Sequence, residues 1–259
     1  MTETANETQI QSALVISRFL IIVPFTILVY EYLITLEHEV SRFWGTRLTW
    51  GTAFFYLNRY SSLFGTVPIV FQYYSTTTNP DKMPMCSAFR AYHQYFALIS
   101  QVLVAVMLIM RTFALYERSK IILAFTVFVT LCAFIFAVWV LLTGNEVNTL
   151  SAEIAAFGCP MGTPHAKSLR LAAAWSGMLV FDIMIFGLTL FKALRHGRSR
   201  ARGGLLAVLL RDGSVYFALM IISNAANIGT YTMGGPFISG TATTVTNVFV
   251  PVPPPSLHG

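Results

Sequence analysis

Charge is what this sequence has least of. Only 11% of its 259 residues are Asp, Glu, Lys or Arg, against roughly 25% in soluble domains, and a surface that poor in charge excludes an ordinary water-soluble globule. The lysines that exist, Lys82, Lys120, Lys167 and Lys192, stand in loops or at helix ends. None is mid-membrane, which excludes a retinal pigment built on a lysine Schiff base. His38, His93, His165, His196 and His258 are scattered singly along the chain, and no cluster at metal-ligand spacing emerges to support a metal-dependent membrane hydrolase or desaturase. A phosphate-cradling glycine loop is missing as well. No cofactor and no catalytic residue is therefore expected, and nothing points to nucleic acid as a partner.

What fills the chain instead is apolar: 55% hydrophobic residues and a mean hydropathy of +0.64. A bilayer core of about 30 Å requires about 20 residues of helix, and nearly the whole sequence divides into stretches of that size. The expectation is an all-α, polytopic transmembrane bundle with spans over 13–33, 52–73, 92–115, 121–142, 169–194 and 205–230, and a short seventh over 237–250. At about 1.5 Å per residue that seventh stretch reaches roughly 20 Å, and Pro251, Pro253, Pro254 and Pro255 forbid its helical continuation. Residues 1–12 and 251–259 are left as an outer tail and a Pro-rich tail.

Basic residues of short loops stay on the cytoplasmic side. Arg42 and Arg47 occupy the first gap, Arg118 and Lys120 the third, and Lys192, Arg195, Arg198, Arg200 and Arg202 the fifth. Odd gaps are thus cytoplasmic and the amino terminus is outside or lumenal, in the plasma membrane or an endomembrane. Glu3 and Glu7 occupy the place of the basic region of a signal peptide, so the first span is expected to serve as its own anchor. Asn6-Glu7-Thr8 is a glycosylation sequon on the outer side. Cys86 and Cys159 share that oxidising side and form a candidate disulfide, whereas Cys132 lies mid-span as a small packing residue. The basic stretch 195–202 suits anionic lipid or an acidic cytoplasmic partner.

Ionisable residues inside spans are costly and mark candidate functional positions. Arg18, Glu31, Arg111, Arg211 and Asp212 fall within about two turns of helix ends, where snorkelling also explains them. Arg59, next to Asn58, and Asp182, near the middle of its span, call for interior partners. Glu31, Asn58, Arg59, Arg111, Arg211 and Asp212 come to comparable depth on four helices, a candidate cytoplasmic polar network able to hold one of two packings.

The strings Tyr30-Glu31-Tyr32-Leu33-Ile34-Thr35-Leu36 with Glu39-Val40, Leu57-Asn58-Arg59-Tyr60, Arg111-Thr112-Phe113-Ala114-Leu115-Tyr116, Gly158-Cys159, Phe181-Asp182 and Leu210-Arg211-Asp212-Gly213 together resemble a membrane family of mushroom-forming fungi catalogued as a domain of unknown function. The resemblance covers about residues 25–247 and implies a seven-helix integral membrane protein. Relatives continue through a full seventh helix where this chain turns Pro-rich after Asn247. A looser similarity of architecture is to heptahelical receptors, through Cys86 before the third helix and Arg111 at that helix's cytoplasmic end. Ligand sensing is the leading expectation, small-solute transport through a bundle with proline-kinked helices at Pro24 and Pro68 the second, and a structural membrane component the third.

Overall fold

In a computed structural model the described residues are 2–44, 49–74, 83–143, 165–197, 205–233, 240 and 243. They comprise six helices: α1 (Thr2–Phe43), α2 (Trp50–Tyr74), α3 (Met83–Leu115), α4 (Lys120–Thr143), α5 (His165–Gly197) and α6 (Leu205–Met233). Each expected span from the first to the sixth lies within one of them. The expected seventh, 237–250, lies outside the described residues except for Gly240 and Thr243. Helix α1 runs through Pro24 and extends over most of the expected outer tail. Thr49 starts α2 by accepting the Thr52 amide on its Oγ1 at 3.3 Å, which satisfies a donor that a first helical turn leaves open.

Among the described residues four helices, α1, α3, α4 and α5, are long and apolar enough to cross a membrane, which makes this a multi-pass integral membrane protein. At about 1.5 Å per residue α2 and α6, of 25 and 29 residues, also exceed a bilayer core in length. In α2 the polar residues are turned inward. Along α2 the buried positions are Asn58, Arg59, Ser62, Thr66, Ile69, Gln72 and Tyr73, while Leu57, Phe64, Val67 and Phe71 are exposed. Both series recur every three or four residues, so the helix is amphipathic with its apolar side outward. Water would expel such a surface, whereas lipid accepts it.

Neighbours in sequence pack together, α1 on α2, α2 on α3, α3 on α4, α4 on α5 and α5 on α6, and α3 also reaches α5. One apolar knot joins α1, α2 and α3 through Ile21, Ile69, Tyr73 and Phe96. A larger one joins α3, α5 and α6 through Val104, Leu108, Phe181, Ile185, Phe217 and Met220. Helix α4 stands at the periphery, with Ile121, Phe128, Ile135 and Trp139 exposed. Gly65 makes the α2–α3 approach close enough for a hydrogen bond onto backbone. A Cβ there would collide with the Phe96 ring, and the Tyr92 hydroxyl donates to the Gly65 carbonyl at 2.9 Å.

Candidate functional site

The densest polar construction among the described residues joins the end of α1 to the start of α2. Arg59 lies nine residues into α2, about 13 Å along its axis, and its side chain is 7% exposed. Its Nε is 2.8 Å from Glu39 Oε2, yet the N–H does not point along that line and neither atom has a well-aligned hydrogen bond. The pairing is therefore mainly Coulombic. Arg59 Nη2 donates to Thr35 Oγ1 at 2.5 Å and to the Tyr32 carbonyl at 3.3 Å. Thr35 in turn donates to the Glu31 carbonyl at 2.5 Å, so its hydroxyl links the arginine to the α1 backbone.

Aromatic rings close this clasp. The guanidinium lies 5.0 Å from the Tyr32 ring centre and 5.9 Å from that of Phe55, within range of cation–π attraction. The Tyr60 hydroxyl donates to Glu39 Oε1 at 2.9 Å, and its ring meets Tyr32 edge-on at 5.9 Å. Glu39 thus receives a cation on one oxygen and a hydroxyl on the other. Positions 32, 35 and 39 recur at helical spacing on one face of α1, while 55, 56, 59 and 60 do so on α2. Helix periodicity, with only six residues of sequence between the two helices, is what brings these faces together.

Residues 19–64 match a family of unknown function (DUF6533). The DUF6533 segment contains both helices' contributions to the clasp, from Tyr32 to Tyr60. No curated protein and no solved structure matches the chain.

The other expected site residues distribute as follows. Glu31 is half-buried, and Arg59 pairs with Glu39 two turns further along α1. Asn58 is buried with its Nδ2 lacking a partner. Arg111 is exposed at the same end of the bundle. The side chains of Arg211 and Asp212 lie outside the described residues, as do those of Asn6 and Cys159 and most of the 195–202 stretch. Cys86 is buried and engaged, and Cys132 is the free thiol among the described cysteines. Asp182 is buried on α5 and accepts a hydrogen bond from Asn224 Nδ2 of α6.

Several polar groups were not singled out from sequence. Glu39 is one. Asn224 and Asn227 are others: three apart on α6, they share a face and are fully buried. His93, Ser100 and Gln101 of α3 are also buried, each with side-chain polar atoms that lack a partner. Arg18 donates from Nε to the Tyr73 carbonyl at 3.3 Å, serving a carbonyl at the end of α2 as basic residues do at helix C-termini. At the opposite end Tyr116 donates to the Leu188 carbonyl at 2.9 Å, and Lys192 reaches Glu117 at 3.0 Å. Burial pushes the Tyr116 phenol up, with nearby Lys192 opposing it. Among the described residues no group of three or more metal-ligating side chains gathers.

Proposed function

We propose that this protein is a receptor-like sensor with its amino terminus outside or lumenal, in which the Glu39–Arg59 clasp holds one packing of α1 against α2 until a ligand favours another. The single observation that carries this reading is the pair itself, buried at the loop-proximal end of two helices and held by charge more than by aligned hydrogen bonds. A buried pair of that kind contributes little net stability over apolar packing, yet breaking it costs much. Those are the properties of an element with two discrete arrangements. The basic loop assignment puts the clasp at the cytoplasmic face, near the 195–202 stretch that would meet anionic lipid or an acidic partner. On the outer side Cys86 pairs with Cys159 in this reading, and Asn6 carries glycan.

Small-solute transport is the second reading, favoured by the buried polar stripe of α2 from Asn58 through Ser62 and Thr66 to Gln72. Purified protein screened by thermal shift against a library of small organic solutes separates the two. Hits that stabilise the wild type, lose their effect in Glu39→Gln and do not cross reconstituted vesicles support a sensor. Flux of a hit supports transport. Hits that act equally on wild type and Glu39→Gln remove the clasp from either mechanism.

A further inference from the structure

Asp182 occupies the middle of α5, 17 residues from its first residue and 15 from its last, and is 5% exposed. A carboxylate at that depth is costly unless its charge is compensated. Among the described residues the ion pairs are Arg59–Glu39 and Lys192–Glu117, so no side chain supplies a compensating charge. What faces Asp182 is neutral: Asn224 Nδ2 donates to its Oδ2. One turn along α6, Asn227 accepts the Thr243 hydroxyl on Oδ1 at 3.2 Å. Asn224, Asn227 and Thr243 are all buried, and Asn224 Oδ1 and Asn227 Nδ2 are left without partners. Buried amides seldom remain so.

We infer that Asp182 and Asn224 form a site for a monovalent cation of sodium size, held between α5 and α6 by a carboxylate oxygen and the Asn224 Oδ1. Hard oxygen donors of this kind suit such an ion. One carboxylate among neutral amides matches a single positive charge, whereas divalent ions draw on several carboxylates. A proton would serve the group less well. Placed on Asp182 it neutralises the charge and can donate to Asn224 Oδ1 while Asn224 Nδ2 donates back, but it leaves Asn227 Nδ2, a donor, without a partner. A cation engages both oxygens while the Nδ2 bond persists, and a coordinated water would accept from Asn227 Nδ2. Both asparagines are fully enclosed by packed helices, which favours a bare or singly hydrated ion over an organic amine. The inference is independent of the sensor reading, since it uses none of the clasp residues.

The test uses the full chain in mild detergent, with unfolding followed by tryptophan fluorescence in sodium chloride or N-methylglucamine chloride at equal ionic strength. Sodium should raise the midpoint saturably by several degrees, as a ligand of the native state does, and N-methylglucamine should not. Asp182→Asn should abolish the sodium response, and Glu117→Gln, at an exposed carboxylate, should keep it. Radioactive sodium binding to the wild type provides a measurement that needs no variant to fold. Absence of saturable sodium binding, a sodium response retained in Asp182→Asn, or stabilisation by acid alone would each overturn the site, the last by assigning the charge to a proton.

Discussion

Two buried carboxylates, one at each side of the bundle, are handled in opposite ways. Glu39 has an arginine at 2.8 Å and a tyrosine hydroxyl at 2.9 Å, all within the α1–α2 hairpin. Asp182 meets an asparagine, with no basic side chain near it among the described residues. The first site is complete within two consecutive helices. Under the cation-site inference, the second is completed by an ion from outside. A bundle can thus carry a charge in lipid either by internal neutralisation or by leaving a place for an external one, and only the latter couples the fold to its surroundings.

The comparison breaks most severely if one partner of the complete site is removed. Arg59→Met leaves Glu39 buried and unpaired and is expected to cost about 3–5 kcal/mol, as is Glu39→Leu for the orphaned guanidinium. The double variant Glu39→Leu/Arg59→Met should recover most of that loss, because no charge then remains to be solvated. Denaturant unfolding in detergent micelles measures the cycle. Additive single effects would show that the two residues do not act as a pair.

A smaller loss is expected at the α2–α3 contact that holds the clasp helix in place. Gly65→Ala drives a methyl into the Phe96 ring and should cost about 1–3 kcal/mol through forced rearrangement. Phe96→Ala in the same chain should offset part of it. Below that stands Tyr60→Phe, which removes the hydroxyl from Glu39 Oε1 while keeping the ring against Tyr32. A hydrogen bond to a charged group is worth about 1.5–3 kcal/mol, so a loss near the lower bound is expected, measured in the same unfolding assay.

The helical rods were legible because long apolar runs and their breaks are local properties. Six of the expected spans lie within described helices, α4 outlasting its apolar stretch by one residue at each end and α1 by eleven and ten. Arg59 and Asp182 were legible as buried ionisable positions because a charge within an apolar run is conspicuous. Their partners were not. Glu39 stands near the end of α1 beside Glu37, where an interfacial position explains an acidic residue equally well. Only the rotation of α2 against α1, a tertiary fact, brings Glu39 rather than Glu31 to the guanidinium. Asn224 and Asn227 are neutral and barely disturb hydropathy, although their spacing of three was a readable sign of one shared face. The polar stripe of α2 carried the same kind of signal, recurring at helical spacing opposite an equally regular apolar series.

The smallest effect is expected where charges meet in the open. Lys192 and Glu117 are 3.0 Å apart, but the Glu117 side chain is 81% exposed. Water and salt screen such a pair, and ordering two long side chains offsets much of the attraction. Glu117→Gln should therefore change stability by no more than about 0.5 kcal/mol, with the difference shrinking as salt is raised. Backbone conformation adds little to this comparison, because glutamine meets the same left-handed constraint at φ 54° as the glutamate it replaces. If this substitution matched Arg59→Met in cost, the distinction between buried and exposed charge would lose its basis, and the α3–α4 turn rather than the clasp would be the place where charge holds the bundle together.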